Sequence, residues 1–387
     1  MYGLGGNGEI DPRISRERMN APVRFSSGIP DADYPIVVGL DIASELAEIV
    51  AKEASGMRVA IISDENVGTK WGHAVQEALS HAGVQAELFI FPAGEQNKNQ
   101  VTVSALQGKL LQKRYGRDTL VIALGGGVVG DVAGYVAATF LRGVPFLQMP
   151  TTLLAMVDSS IGGKVGVDTE HGKNTIGAFW QPRAVVTDLR YLESLSEREI
   201  VSGLLEAVKS FMTSDRDALQ IVESIHTGNP LTSAEALQEV VVRAVRFKCG
   251  VVARDEREEN ERRILNFGHT VGHAVEVLSG YTMPHGFAVG YGILVETKIA
   301  ENLGVLSSAD RTAVMQYLLR FGITPDGLKG YDVTKVIDAM KGDKKARAGS
   351  IYCVLLNGIG SVSTEGGQFA HPIDEAIISK AYRSLVI

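Results

Sequence analysis

The chain has 387 residues, 45% of them hydrophobic and 21% charged, which excludes a disordered polymer and gives room for about two to three domains of ~150 residues. It carries 38 Lys and Arg against 45 Asp and Glu, a net charge of -7, which argues against a general nucleic-acid surface but leaves room for a local basic pocket. Two cysteines, Cys249 and Cys353, exclude a disulfide scaffold and fit a reducing cytoplasm, and neither a signal core nor an apolar run of about 18 residues stands out.

Residues 1–30 read as an irregular N-terminal arm, polar and Gly-rich without periodicity. From Tyr34 onward, short β-branched runs alternate with amphipathic stretches. Strands are expected at 35–39, 57–64, 86–91, 118–127, 144–150 and 184–189. Helical patterns lie between them, as in ASELAEIVAKEA and WGHAVQEALSHAG. That alternation predicts a parallel sheet covered on both faces, an α/β domain over 31–195. Beyond Ser196 the period becomes helical, at 197–226, 233–254, 268–279, 286–303, 308–321 and 333–341. A second domain, all-α over 196–387, follows; only IYCVLL (351–356) reads as extended.

Several motifs carry chemistry. Gly125, Gly126 and Gly127 end a strand and open a helix, where free N–H groups and the helix dipole suit a pyrophosphate. The spacing matches neither the GxGxxG fingerprint nor a P-loop. The turns at Ser63-Asp64 and Gly94-Glu95-Gln96-Asn97-Lys98 follow two other strands, where an acidic residue suits a ribose hydroxyl. The segment PTTLLAMVDSSIGGKVGVDTEHGKNTIGAF (150–179) mixes charges with small and apolar residues. It reads as a partly buried polar loop around an anionic ligand, since buried charges need partners. His269 and His273, four apart, share one helical face, and His285 opens the next helix. With the carboxylate of the Glu206–Lys209 helix they make an open divalent metal site conceivable on chemical grounds. The remaining cations, Arg142, Lys248, Arg262, Lys344 and Lys345, would suit a small polyanion bearing phosphate and carboxylate.

Taken together, GGGVVGDVAGYVAATFLRGVPFLQMPTTLLAMVDSSIGGK, GKNTIGAFWQP, SGLLEAVK, LNFGHTVGHAVE and MKGDKKARAG resemble the 3-dehydroquinate synthases, within the sugar-phosphate cyclases. The resemblance spans about Val37 to Lys380. It implies a Rossmann-like α/β domain plus a helical domain, with NAD, a divalent metal (zinc or cobalt) and substrate meeting in the cleft. By that resemblance Glu206, His269 and His285 bind metal. NAD contacts fall on Asp64, Glu95, Lys98, Gly125, Gly126, Gly127, Asp131, Thr151, Thr152, Lys173 and Ser194. Substrate contacts fall on Asp158, Lys164, Asn174, Lys209, Lys248, Arg262, Asn266, His273 and one or both of Lys344 and Lys345. The catalytic set is Asp158, Lys164, Lys209, His273 and Glu206. Arg142 is the arginine that family members lend across a homodimer.

The implied reaction converts 3-deoxy-D-arabino-heptulosonate 7-phosphate to 3-dehydroquinate and phosphate. It runs through transient oxidation by NAD, phosphate elimination, re-reduction and intramolecular aldol closure. Rival readings are a cyclase acting on sedoheptulose 7-phosphate, a metal-dependent polyol dehydrogenase and a non-catalytic nucleotide-binding paralogue. One departure stands out. Many members carry Glu after the metal-binding His-Gly pair, where this chain has Phe287, so altered surroundings of the metal are expected.

Overall fold

A computed structural model describes residues 21–342 and 350–386. Seven strands build the main sheet: β1 (Val23–Ser26), β2 (Pro35–Gly39), β3 (Arg58–Asp64), β4 (Ala86–Phe91), β5 (Thr119–Gly125), β6 (Phe146–Pro150) and β9 (Ala184–Asp188). Their order is β1-β2-β9-β6-β5-β3-β4. Only the β1–β2 pair is antiparallel. Strand β5 is buried at every position and β3 at all but its ends, as a sheet covered on both faces requires. Helices α1 (Ala43–Glu53), α2 (His73–His81), α3 (Gln100–Gln112) and α4 (Gly127–Thr139) flank it. The chain reverses its direction of travel across the sheet between β3 and β5, so their carboxyl ends frame a crevice suited to a ligand.

Two expectations are corrected. The arm expected over 1–30 ends in β1, which pairs with β2 from Val23↔Val38 to Ser26↔Pro35; residues 1–20 lie outside the described residues. The expected polar loop at 150–179 contains an antiparallel hairpin, β7 (Lys164–Thr169) and β8 (Gly172–Phe179). Val165 and Val167 turn inward, 6% and 0% exposed, and Val165 packs on Gly134 of α4. Gly166 between them, and the Gly162-Gly163 pair before them, hide that two-residue period in the sequence.

The second half is built from α5 (Glu197–Ser214), α6 (Ala218–Glu223), α7 (Ala234–Arg254), α8 (His269–Leu278), α9 (His285–Asn302), α10 (Ser308–Leu319), α11 (Val333–Gly342) and α12 (Glu375–Val386). Short ribbons, β10 (Ile351–Cys353) with β13 (His371–Ile373) and β11 (Leu356–Gly358) with β12 (Ser361–Val362), decorate it. Side chains from both halves, among them Leu153, Met156, Leu204 and Val245, join one continuous hydrophobic core. Among the described residues no helix is long and apolar enough to cross a membrane.

Helices α8 and α9 cross at backbone contact. A Cβ on Gly292 would stand 1.7 Å from the Gly268 carbonyl oxygen, and one on Gly286 would stand 1.9 Å from that of Ser202 on α5. Glycine at these two points is therefore a condition of the α5–α9–α8 stack that carries the site.

Candidate metal and dinucleotide site

The metal-ligand candidates converge where α5, α8 and α9 meet. One ring nitrogen from each of His269, His273 and His285 lies within 4.8 Å of the others, close enough to share one ion. Glu206 on α5 is 1% exposed. Its Oε1 stands 3.3 Å from His285 Nε2 and 3.7 Å from His269 Nε2, and it accepts no hydrogen bond of good geometry among the described residues. A buried carboxylate oxygen without a donor, facing imidazoles, fits a divalent cation.

Tautomers support that fit. His269 Nδ1 lies 3.1 Å from the Phe267 carbonyl, which can only accept, so Nδ1 carries the proton and Nε2 keeps its lone pair. His285 Nδ1 lies 3.2 Å from Glu276 Oε2, leaving Nε2 aimed at Glu206 in the carboxylate–histidine–metal manner. Burial would depress the His285 pKa, but the Glu206 and Glu276 carboxylates beside it overcome that and raise it to about 9. Burial would likewise raise Glu206; Lys209 and His285 outweigh it and hold the carboxyl well below its usual range.

A second layer of charge surrounds this centre. Lys209 Nζ lies 2.8 Å from Glu206 Oε2 and donates to the Leu265 carbonyl at 3.0 Å. Lys248 donates to the Asp158 carbonyl at 2.7 Å and its Oδ1 at 2.8 Å. Burial raises Asp158, yet Lys248 and Lys209 bring it down to about 2; burial dominates at Lys248 and lowers it. Arg262, 2% exposed, donates to the Gly162 carbonyl at 2.9 Å and to that of Glu256. Lys164 and Asn266 both meet Glu258, a non-glycine residue at φ 60°. These cations come from both halves of the chain, Lys209 beside Glu206 and the others against the 158–162 and 256–258 segments.

The dinucleotide candidates gather at the carboxyl edge of the sheet. Asp64 ends β3 and accepts from Val67 N at 2.9 Å. Gly125 ends β5, and Gly126 and Gly127 open α4. Asp131 on α4 pairs with the buried Lys98 at 2.6 Å, and Glu95 reaches Lys173 at 3.2 Å. Thr151 and Thr152 follow β6. Thr151 Oγ1 is buried with no partner among the described residues, and Thr152 Oγ1 accepts from Ala155 N at 3.2 Å. Ser194 accepts from Trp71 Nε1 at 3.4 Å. The glycine amides at the start of α4 and the orphaned threonine hydroxyl fit a dinucleotide.

Asn174 sits on β8 at φ 51°, its backbone N–H donating to Asp168 at 2.7 Å. Arg142 follows Leu141 on a turn where both have positive φ, 72° and 49°. This turn is beyond the far end of α4 from Gly127, about 20 Å along the helix axis. Lys344 and Lys345 lie outside the described residues.

Phe287 corrects an expectation. Two positions after His285 on α9, it points about 200° away from it. Its ring lies 5.8 Å from the Arg198 guanidinium and lines a surface cavity of about 770 Å³ with Val201, Ile225 and Phe321. It does not surround the metal-ligand candidates. Three carboxylates were missed from sequence: Glu258, Glu276 and Glu296. Glu276 could have been found, since it lies three residues beyond His273 on the same helical face. Glu296 is fully buried on α9 and accepts from Gly268 N at 2.8 Å and Thr270 N at 3.2 Å. It caps the helix carrying His269 and His273.

Comparison with known proteins agrees with this architecture. Residues 88–202 match the family described as 3-dehydroquinate synthase N-terminal, and residues 203–346 that described as 3-dehydroquinate synthase C-terminal. The 3-dehydroquinate synthase of Geotalea uraniireducens is 40% identical over 335 residues, 86% of this chain and 93% of its own. That of Pelobacter propionicus is 42% identical over 329 residues, 84% and 91% of the two chains. Among solved structures, 2-deoxy-scyllo-inosose synthase complexed with carbaglucose-6-phosphate, NAD+ and Co2+ superposes with a TM-score of 0.84 at 24% identity, covering 94% of this chain and all of that one. The 2-epi-5-epi-valiolone synthase of Streptomyces hygroscopicus subsp. jinggangensis, with NAD+ and Zn2+ bound, gives 0.80 at 26% identity, covering 92% and 98%. The α/β domain followed by a helical domain is thus the fold of these cyclases, and the chain belongs to the 3-dehydroquinate synthase family.

Proposed function

We propose that this protein converts 3-deoxy-D-arabino-heptulosonate 7-phosphate to 3-dehydroquinate and phosphate in the shikimate pathway, using NAD and one divalent metal. The observation that carries the reading is the Glu206–His269–His285 donor set, buried at Glu206 and His269 and 31% exposed at His285, with a wall of Lys164, Lys209, Lys248 and Arg262 on the neighbouring segments. Such a wall suits a substrate with a phosphate at one end and a carboxylate at the other. The mixed oxygen and nitrogen donors suit zinc or cobalt.

When bound, NAD supplies a hydride acceptor for one secondary alcohol and the metal supplies a Lewis acid at that oxygen. The residues of this chain do the rest. Arg262 and Lys248 hold the carboxylate and neighbouring hydroxyls. Lys164, Asn174, His273 and the 344–345 lysines hold the phosphate, and Asn266 contacts the substrate on the carboxylate side. Arrival of the phosphate exchanges the Lys164–Glu258 pair for a substrate pair, keeping the ammonium compensated throughout. Asp158 fixes the Lys248 ammonium, and Lys209 stays protonated between Glu206 and Leu265 O, holding the Glu206 carboxylate in place. Asp64, Glu95, Lys98, Asp131, Thr151, Thr152, Lys173 and Ser194, with the 125–127 glycines, bind NAD. The chain has two cysteines, both buried, too few for a disulfide scaffold, which supports action in the cytoplasm.

The test offers metal-loaded protein with NAD+ either 3-deoxy-D-arabino-heptulosonate 7-phosphate or sedoheptulose 7-phosphate. Phosphate release and carbocycle formation are followed together. Turnover of the first alone is expected. Turnover of the second alone would move the protein to the valiolone-forming branch, and net NADH accumulation would mark a dehydrogenase.

The protein acts as a homodimer in which Arg142 completes the partner's phosphate site. The strained turn that presents Arg142, far from its own Gly125–Gly127 crevice, supports this. Co-expressed Arg142→Ala and Lys164→Ala chains, each impaired alone at low substrate, are expected to recover up to about a quarter of wild-type activity beyond what either retains alone. Half the dimers would be mixed, with one intact site each. No recovery from a mixture shown to contain mixed dimers would place Arg142 in its own chain's site or outside any site.

A further inference from the structure

Lys173 and Glu276 stand 103 positions apart in sequence, one on the β8 hairpin beside the sheet and the other on helix α8. Lys173 Nζ lies 2.9 Å from Glu276 Oε1 and 3.2 Å from Glu95, in the turn after β4. It also lies 4.5 Å from the centre of the Tyr281 ring, just beyond α8. The other oxygen of Glu276 lies 3.2 Å from His285 Nδ1. Glu276 is nearly buried, its side chain 7% exposed, and Lys173 is 31% exposed. One carboxylate thus holds an imidazole of the metal-ligand set with one oxygen and an ammonium of the dinucleotide crevice with the other. Glu95, Lys173, Glu276, His285 and Glu206 form an unbroken chain of charged contacts across the cleft.

We propose that the Lys173–Glu276 pair couples dinucleotide binding to metal binding, Glu276 acting as a positioning residue for His285. The inference rests on the functional reading above and extends it from two sites to one linked pair. Its sign follows from what each ligand orders. Glu276 can aim His285 Nε2 at the metal only while its own carboxylate is held, and Lys173 is the group that holds the opposite oxygen. A dinucleotide contacting Glu95 and Lys173 immobilises that end of the chain of contacts. A metal at His285 immobilises the other. Whichever arrives second finds fewer groups left to order, so each tightens the other. Linkage requires the two factors to be equal.

The test measures binding, not turnover. Zinc affinity of the stripped full-length protein is determined by competition with a chromogenic chelator, without NAD+ and at NAD+ saturation. NAD+ affinity is determined calorimetrically with and without zinc. In the wild type, each ligand is expected to tighten the other by about tenfold. Glu276→Gln keeps the size of the side chain and is expected to weaken zinc 10- to 100-fold, as loss of an outer partner of a ligating histidine does. In Glu276→Gln and in Lys173→Met, the effect of NAD+ on zinc affinity should fall to within about twofold. Lys173→Arg, which keeps the charge, should restore part of it. Thermal melting of each variant establishes that the fold is retained. Equal tenfold coupling in wild type and both variants would overturn the inference, as would a wild type that binds both ligands independently. A wild type that binds neither would instead overturn the functional reading itself.

Discussion

Glu206→Gln is expected to strip the protein of its metal and lower turnover by about a thousandfold or more. The Lewis-acid contribution that depends on the site is worth several kcal/mol, at 1.36 kcal/mol per decade. Glutamine preserves the shape of a side chain that is 1% exposed, so the loss would be chemical and not a matter of packing. It removes the carboxylate charge that faces His269 Nε2, His285 Nε2 and Lys209 Nζ. Metal affinity should fall by more than about a hundredfold, beyond the 10- to 100-fold typical of losing an outer partner. Lys164→Ala is the contrasting variant. Its ammonium is half-exposed and paired with Glu258, away from the imidazoles. It should keep full metal content while weakening substrate binding about tenfold or more, the scale of one charge-assisted hydrogen bond. Metal analysis after dialysis decides between them, and equal metal content in the two variants would refute this division of roles.

Gly292→Ala is expected to cost about 3 kcal/mol or more and to dismantle the imidazole cluster. The added methyl would stand 1.7 Å from Gly268 O and 2.8 Å from Gly272 N, both backbone atoms. No rotamer change can relieve that overlap, so α8 and α9 must separate. Separation also draws Glu296, one turn further along α9, away from Gly268 N and Thr270 N. Those donors would then be buried without partners, adding about 1–3 kcal/mol for each group left unsatisfied. His285 leads α9 and His269 leads α8, so the same displacement pulls the metal-ligand candidates apart. Gly330→Ala is the control, since nothing lies within 4 Å of an added Cβ there; its effect should stay within about 0.5 kcal/mol. The denaturation midpoint and zinc content of both variants test this. An unchanged midpoint and full zinc content in Gly292→Ala would contradict the proposed crossing.

From the sequence by itself, the order of elements was legible. β-branched runs such as VAII and LVIAL alternate with amphipathic helices, and these periods are local consequences of burying one face of each element. The strand–glycine–helix junction at 125–127 and the His269–His273 pair were legible for the same reason, since turn geometry and i,i+4 spacing need only neighbouring residues. Motif order added the family, and with it the reading of Glu206 and His285.

Which charges meet depended on how distant elements pack. Lys173 finds Glu276 across 103 positions and Lys164 finds Glu258 across 94, and nothing in either local pattern selects one carboxylate over the others nearby. That Phe287 faces away from His285 follows from helix period alone, but its neighbours Arg198 and Phe321 were set by the packing of other elements. The 164–179 hairpin stayed hidden because glycines interrupt its alternation, and it exists because α4 offers Gly134 to its valines. Hydrophobic periodicity is set within one turn or one strand. Ion pairs and backbone crossings are set by how complete elements pack, because burial removes the water that would otherwise satisfy each charge alone.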